Sequence, residues 1–226
     1  MIFLRIYAVL TNPPGDSLFL VAKLRGILHI KKIGHTGTLD PIATGVLVVC
    51  VGRATKLVSK LTAEEKIYEA GVLFGEKYDT GDITGKLMKN DSVVITEDDF
   101  RTACQQFVGD IDQIPPMYSA KKVNGKKLYE YAREGIEVER EPERIHIYSI
   151  ELLGFDFPHA QIRVHCSKGT YIRTLIEDIS EAAGTVGTME SLRRTKNGDF
   201  SIEDAVTFEQ LEAADDPWSL VKPVEV

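Results

Sequence analysis

The sequence has few cysteines and no apolar stretch long enough to cross a membrane as a helix. Its three cysteines, Cys50, Cys104 and Cys166, lie far apart and form no C-x-x-C pair. This usage is typical of reduced thiols in the cytoplasm, and it argues against a disulfide framework or a zinc site. The apolar start, residues 1–10, is interrupted by Arg5 and predicts a buried strand rather than a signal peptide.

Several common catalytic signatures are also absent. The five histidines form no H-x-x-x-H pair, and no set of carboxylates, histidines and cysteines has metal-ligand spacing. The sequence contains no G-x-x-x-x-G-K-[ST] loop, no G-x-G-x-x-G turn and no G-x-S-x-G elbow. Metal, nucleotide and serine-hydrolase chemistry therefore lose support, and we expect no cofactor.

What the chain does have is apolar content for a core and strongly segregated charge. The length of 226 residues suits one large domain or two small ones. Hydrophobic residues make up 43% of the chain, which is enough to form a core. The net charge of −7 argues against a nucleic-acid binder when taken whole. However, residues 1–61, 113–133 and 161–198 carry +6, +4 and +2. This distribution predicts a basic surface that binds a polyanion, although solvated faces can also segregate by chance.

Hydrophobic periodicity predicts helices and strands in irregular order. Residues 17–28 have helical spacing, and the apolar run 46–51 predicts a buried strand. Thr96 followed by an acid three residues later predicts an N-capped helix. We also predict strands over 66–73, 144–155 and 161–166, loops over 34–41 and 75–85, and helices over 126–133, 174–183 and 208–214. This order indicates an α+β fold.

The densest functional signal is GHTGTLDP at residues 34–41, followed by ATG at 43–45. Its glycines let the backbone approach a ligand closely. Pro41 restricts Asp40 to extended conformations, so the loop can aim this carboxylate rigidly. A simple turn in which Asp40 is a capping group explains the segment at least as well when it is considered alone.

Two cationic segments offer phosphate contacts. In CSKGTYIR at 166–173, a strand ends and a helix begins, so backbone amides and Lys168 can meet a phosphate. Arg173 could pair bidentately with a carboxylate, although a surface cation is the usual fate of arginine. Lysines and tyrosines alternate over 116–129, which suits phosphates and bases of a nucleic-acid strand. A lysine-rich solubility loop is the alternative.

These segments together resemble a known family. KIGHTGTLDPIATGVL at 32–47 is similar to the catalytic motif of the TruB-type tRNA pseudouridine synthases. Further blocks follow in that family's order. They are KIY at 66–68, DTGDITG at 79–85, the stretch 115–134, CSKGTYIR at 166–173 and LRRT at 192–195. Because an accidental match of several ordered blocks is very improbable, we identify the chain as similar to this family.

The resemblance implies a pseudouridine synthase fold, with a central mixed, mainly antiparallel sheet flanked by helices and an RNA-clasping insertion. It implies isomerisation of one uridine in tRNA, uridine-55 of the T-loop. Asp40 would be the nucleophile, Tyr68 would stack on the base, and Arg173 would pair with Asp40. Leu192 would line the uracil pocket, and His35 would fill the space that the flipped base leaves. Supporting or RNA-contacting roles would fall to Tyr171, Lys121, Lys122, Lys126, Lys127 and Lys168.

The chain departs from the family in places. The N-terminal motif lacks its lysine and its second hydroxyl, at Asn12 and Leu18, and 186–188 read VGT instead of GAH. We expect a catalytic domain over 1–210 with its insertion at about 113–143. The remainder, 211–226, would be a tail without a separate C-terminal RNA-binding domain. We expect a cytoplasmic monomer that binds the T-arm of tRNA, with no metal and no membrane contact.

Two other classes stay open. One is a catalytically inactive module that binds or folds tRNA, although the presence of Asp40, Tyr68 and Arg173 argues against it. The other is a small-molecule glycosidase that uses Asp40. That chemistry typically needs a second carboxylate, and Asp79 is the one acid in a motif that could serve.

Overall fold

The computed structural model describes residues 4–11, 17–220 and 222–224, and the chain divides into two compact units. The first unit comprises Met1–Tyr68 and Leu192–Val226, and the second comprises Glu69–Ser191. Position Asn12 of the altered N-terminal motif lies outside the described residues. The prediction of a catalytic domain over 1–210 stays a prediction.

The described elements alternate irregularly along the chain. The strands are β1 (Leu4–Thr11), β2 (Ile33–His35), β3 (Ala43–Val51), β4 (Lys66–Phe74), β5 (Glu76–Tyr78), β6 (Leu87–Asn90), β7 (Gly109–Gln113), β8 (Lys122–Val123), β9 (Lys126–Lys127), β10 (Glu143–Asp156), β11 (His159–Cys166), β12 (Gly187–Asn197), β13 (Phe200–Ser201) and β14 (Lys222–Val224). The helices are α1 (Ser17–Leu28), α2 (Val58–Thr62), α3 (Glu97–Gln106), α4 (Leu128–Arg133), α5 (Ile172–Ala182) and α6 (Phe208–Ala213). No helix within these described segments is long and apolar enough to span a membrane.

The first unit is built on a mixed sheet with the order β14-β1-β3-β12. Strand β1 pairs antiparallel with both of its neighbours, whereas β3 and β12 run parallel, with Leu192 opposite Ala43. Strand β3 is buried along almost its whole length, which confirms the strand predicted from the apolar run. Helix α1 has the predicted bounds, and its buried side chains Leu24 and Leu28 contribute to the core.

The second unit carries strands in the order β12-β4-β11-β10-β7, and β10 pairs antiparallel with both β11 and β7. The aromatic rings of Phe74 and Phe100 meet edge to face, with centroids 4.9 Å apart. Thr96 caps the N-terminus of helix α3, and its hydroxyl accepts a hydrogen bond from the backbone N–H of Asp99. The reciprocal bond from Thr96 N to the Asp99 carboxylate completes the predicted cap. The predicted α+β class and mixed sheet are confirmed.

Some local predictions were wrong in their bounds. Residues 126 and 127 form strand β9 instead of the first turn of a helix, because Asn124 and Gly125 both have positive φ. This Asn-Gly pair is the usual two-residue turn of a β-hairpin, and it pairs β9 with β8. The segments 34–41 and 75–85 also contain strand residues, in β2 and β5, where loops alone were expected.

Gly45 should be one of the least replaceable residues of the first unit. Its φ is +99°, and an added Cβ would overlap the backbone carbonyl of Arg194 on the parallel strand β12. We predict that Gly45→Ala lowers the free energy of unfolding by ~3 kcal/mol or more, since strain and overlap add. Urea denaturation followed by circular dichroism measures this change.

The matched control for Gly45→Ala is Gly26→Ala. Gly26 lies in α1, is exposed, and has no atom within 4 Å of an added Cβ. This substitution should be neutral or stabilising by about 1 kcal/mol, because alanine favours the helix. Equal effects of the two substitutions would contradict the close approach of β3 and β12.

Candidate active site

Asp40 lies half-buried on the loop between β2 and β3 in the first unit. Its backbone carbonyl accepts a hydrogen bond from Ala43 N at 2.9 Å, which closes a tight turn around Pro41. The preceding residue, Leu39, donates its N–H to the buried Oγ of Ser17 at 3.0 Å. Ser17 is the first residue of α1 and carries the hydroxyl that the altered N-terminal motif retains. Its hydrogen bond therefore supports Leu39, the residue directly before Asp40.

Two buried side chains of β12 hold the other half of this loop. Arg194, which is 1% exposed, donates from Nε to Val46 O at 2.8 Å and from Nη2 to Gly37 O at 3.3 Å. Asn197, which is 2% exposed, donates from Nδ2 to Thr36 Oγ1 at 2.8 Å and to Thr36 O at 3.3 Å. Because buried backbone groups need such partners, the two side chains fix the course of the loop.

Three other predicted site residues belong to the first unit. Leu192 is buried on β12 opposite Ala43, the residue that closes the Asp40 turn. His35 ends β2 and pairs across the ladder with Val49. Tyr68 is half-buried near the start of β4. The fold thus brings Leu192 and Asp40 to adjoining backbone.

Arg173 lies in the second unit, in the first turn of α5, and is only 5% exposed. Its Nη1 donates to Thr80 O at 2.7 Å, and its Nη2 donates to Tyr118 O at 2.9 Å. A buried guanidinium needs hydrogen-bond acceptors of this kind, and two come from segments far away in sequence. The alternative that Arg173 is a surface cation is therefore wrong.

The loop that supplies Thr80 is internally braced by Asp82. This carboxylate is 3% exposed and accepts hydrogen bonds from the hydroxyls of Thr80 and Thr84 and from Thr84 N. Asp79, in contrast, is exposed, and its Oδ1 accepts a hydrogen bond from Lys86 N in the same hairpin. Because that oxygen closes the hairpin, Asp79 is a poor second acid for a glycosidase.

Tyr171 directly precedes α5 and is half-buried. Burial raises the pKa of its phenol above the usual range, and the nearby Arg173 acts in the opposite direction. The phenol therefore stays protonated at neutral pH and can donate a hydrogen bond.

The lysines of the insertion are closely associated with acids and aromatic rings. Lys121 forms an ion pair with Glu143 at 2.9 Å, and Lys126 pairs with Glu134. The Lys127 ammonium lies 5.2 Å from the centre of a tyrosine ring. Lys122 and Lys168 are exposed. The alternation of lysine and tyrosine thus produces cation–π contacts, whereas an RNA-binding role for these lysines stays a prediction.

The buried thiols of Cys50 and Cys104 are poor nucleophiles. Burial raises the pKa of Cys50 to about 11 and that of Cys104 to about 12, so neither forms a thiolate near neutral pH. Within residues 4–11, 17–220 and 222–224, no group of three or more His, Cys, Asp or Glu side chains could hold a metal ion.

Sequence reasoning missed the residues that support the loops. Ser17, Gln113 and Asn197 were not singled out, and Arg194 entered only as a letter of LRRT. A polar residue two positions after the LRRT block, Asn197, was the one available signal, and it is weak. The predicted pair of Asp40 and Arg173 joins residues of different units and stays a prediction, as do the catalytic roles of all the site residues.

Two known sequence families match the chain. Residues 25–172 match the TruB family pseudouridylate synthase N-terminal domain, and residues 173–225 match the tRNA pseudouridylate synthase B C-terminal domain. Among curated proteins, the chain is 48% identical over 213 residues to tRNA pseudouridine synthase B of Bordetella avium. It is 52% identical over 212 residues to the protein of that name from Bordetella pertussis. Each match covers 92% of this chain and 87% of the relative.

Solved structures with the same fold are also known. The chain is similar to one described as a Cbf5-Nop10-Gar1 complex, with 27% identity and a TM-score of 0.75. It is similar to another described as an H/ACA RNP bound to a substrate RNA containing 2'-deoxyuridine, with 25% identity and a TM-score of 0.70. The matches cover 97% of this chain, which spans 60% and 59% of those longer chains.

Asn197 should contribute strongly to stability because it serves two oxygens of the buried Thr36. We predict that Asn197→Ala lowers the free energy of unfolding by about 1–3 kcal/mol, since it leaves those acceptors without a donor. Urea denaturation measures the loss. Asn90→Ala, at an exposed position of β6, is the control and should change stability by less than about 0.5 kcal/mol. Equal losses would contradict the anchoring role.

Proposed function

Since the chain belongs to the TruB family of pseudouridylate synthases, we propose that it isomerises one uridine of tRNA to pseudouridine, with Asp40 as the nucleophile. The target is uridine-55 in the T-loop, and the tRNA is bound through its T-arm. Because tRNA is found in the cytoplasm, we expect the enzyme to act there. We also expect it to act as a monomer.

The reaction needs a carboxylate rather than a redox group. Uridine and pseudouridine have the same atoms, and the N1–C1′ bond is replaced by a bond from C5 to C1′. Cleavage of the glycosidic bond develops positive charge on the sugar, which a nearby carboxylate stabilises or traps. The freed uracil must then rotate without leaving the site, so the pocket has to hold the base throughout.

The observation that carries the proposal is the rigid support of Asp40. Its loop is fixed by hydrogen bonds at Thr36, Gly37 and Leu39 and by its own turn to Ala43. A carboxylate that is held in place before the substrate arrives loses little entropy in the reaction. Leu192, next to that turn, offers an apolar surface for the uracil.

Binding of the target base requires that it leave its stack. Flipping a base out of an RNA loop costs a few kcal/mol. Stacking on Tyr68 would return ~1–3 kcal/mol of this cost, and His35 would fill the vacated space. The remaining free energy has to come from RNA contacts outside the pocket, which is why free uridine should not react.

A catalytically inactive tRNA-binding module is the second candidate. It would share the fold and the basic segments, and it would not need an anchored Asp40. The hydrogen bonds that support Leu39 and Gly37 therefore favour the enzyme.

Replacement of Asp40 tests the mechanism directly. Asp40→Asn keeps the size of the side chain and removes its charge and its nucleophilic oxygen. We predict that turnover falls to background while tRNA affinity is unchanged, because the phosphate contacts lie elsewhere. Tritium release from tRNA labelled at C5 of uridine measures turnover, since C5 must lose its hydrogen.

Each outcome of this experiment points to one candidate. Release that persists in Asp40→Asn would exclude the proposed nucleophile. Release by neither protein, with tRNA binding intact in both, would favour the inactive module. Asp199→Asn is the matched control, because it makes the same change at an exposed carboxylate and should leave the rate within about threefold.

The basic insertion should provide part of the affinity for tRNA. We predict that replacing Lys121, Lys122, Lys126 and Lys127 with glutamine weakens binding. The slope of log K against log salt should become shallower by about one for each lysine that contacts a phosphate. A filter-binding titration in increasing salt measures both quantities. Glutamine removes the charge and keeps a flexible polar side chain only one atom shorter, so folding should be retained.

The control for the lysine variant changes charge in the acidic C-terminal segment. Glu209→Gln with Asp215→Asn removes two exposed negative charges and should not weaken binding. Equal salt slopes for the lysine variant and the wild type would mean that the insertion does not contact phosphates.

A further inference from the structure

The backbone turn before α5 is held by a side chain from a distant strand. Tyr171 occupies the N-cap position, and its own side chain makes no capping hydrogen bond. Instead, Tyr171 N donates to Gln113 Oε1 at 2.8 Å, and Gln113 Nε2 donates to Tyr171 O at 3.1 Å. One side-chain amide thus satisfies both polar groups of the same residue.

This arrangement requires a side chain that is both a donor and an acceptor. The side chain must present one acceptor and one donor together, which an amide does and an ionised carboxylate does not. Gln113 is only 2% exposed, so water would not readily replace a lost partner. Loss of the Gln113 amide would leave Tyr171 N without its acceptor and would remove one of the hydrogen bonds that Tyr171 O accepts.

The turn that Gln113 holds leads directly to Arg173. Tyr171 O also accepts the first hydrogen bond of α5, from Leu175 N at 3.0 Å. The position of that carbonyl sets the direction of the first turn of α5. It therefore also sets the position of the Arg173 Cα, from which the side chain extends. Beyond the backbone, the Arg173 guanidinium is held by the carbonyls of Thr80 and Tyr118.

Gln113 also marks the root of the insertion. It is the last residue of β7 and lies opposite Glu143, the first residue of β10. The chain between these two residues contains the lysines that we propose to contact RNA, and it contains Tyr118, which binds Arg173. An ion pair between Lys121 and Glu143 adds a further link at the same root.

We propose that Gln113 is a positioning residue, which fixes the Tyr171–Arg173 turn to the root of the RNA-binding insertion. Through this bond and the contact of Arg173 with Tyr118, the segment that receives RNA and the arginine form one hydrogen-bonded frame. The inference rests on the proposed function, because it assigns Arg173 to the reaction. Gln113 itself need not touch the substrate.

The substitution Gln113→Glu tests this role through its pH dependence. An ionised glutamate accepts from Tyr171 N but turns a second oxygen toward Tyr171 O, whereas a protonated one restores the donor. The charged groups near Tyr171 are Glu143, Lys121 and Arg173. The single-turnover rate at pH 8 should fall about tenfold or more relative to wild type, with tRNA affinity within about threefold. The ratio to wild type should recover as the pH is lowered toward 5.5.

Two further variants make the result specific. Gln105→Glu makes the same change at an exposed position of α3 and should follow the wild-type pH profile. Gln113→Met keeps the volume of the side chain without a donor or an acceptor, so its rate should stay low at every pH. Thermal melts of each variant show whether it is folded under the assay conditions.

Several outcomes would overturn the proposal. A folded Gln113→Met or Gln113→Glu variant with a wild-type rate would exclude a positioning role. A defect confined to tRNA affinity would make Gln113 part of the binding surface instead. Failure of both variants to fold would mean a purely structural role. If the wild type itself releases no tritium, the proposed function fails first, and the role of Gln113 in catalysis falls with it.

Discussion

The hydrogen bonds from Arg194 and Asn197 to the Asp40 loop are the constraint on which the candidate site depends. Residues 36–40 have no ladder partners of their own over most of their length, so distant side chains must satisfy their buried backbone groups. Arg194 reaches the loop across 157 positions of sequence and Asn197 across 161. The parallel register of β12 against β3 makes this reach possible, and Gly45 permits the two backbones to approach.

The second unit uses the same principle at the start of α5. There, Gln113 holds the backbone of Tyr171, and two backbone carbonyls hold the guanidinium of Arg173. Buried hydrogen bonds of this kind favour one arrangement over its competitors, because each alternative leaves a donor or an acceptor unpaired. Such hydrogen bonds fix the Asp40 loop within its own unit before any substrate binds, which suits the role proposed for this carboxylate.

The sequence predicted those features that depend on local chemistry. The helix over 17–28, the cap at Thr96 and the buried strand in β3 follow from spacing and composition within a few residues. The hairpin at residues 122–127 was missed because residues 126 and 127 were assigned to the helix that follows, and the Asn-Gly turn before them was not used as a hairpin signal. Gln113 and Asn197 could not be predicted, since their partners lie 58 and 161 positions away. A side chain's role in a distant turn depends on strand register, which one sequence does not reveal.

The ion pairs of the insertion affect how its lysines can bind a polyanion. Lys121 and Lys126 each neutralise a glutamate, so a phosphate that approaches them must compete with an existing partner. Such exposed pairs contribute only about 0–1 kcal/mol, and the exchange therefore costs little. The exposed Lys122 and Lys168 form no ion pair with an acid among the described residues, so a phosphate does not have to displace a partner there. Each of them should therefore contribute more than Lys121 or Lys126 to the salt dependence of RNA binding. A chain with a net charge of −7 can thus keep Lys121 and Lys126 paired when unbound and release them to phosphate on contact, so local charge matters more than net charge for its choice of partner.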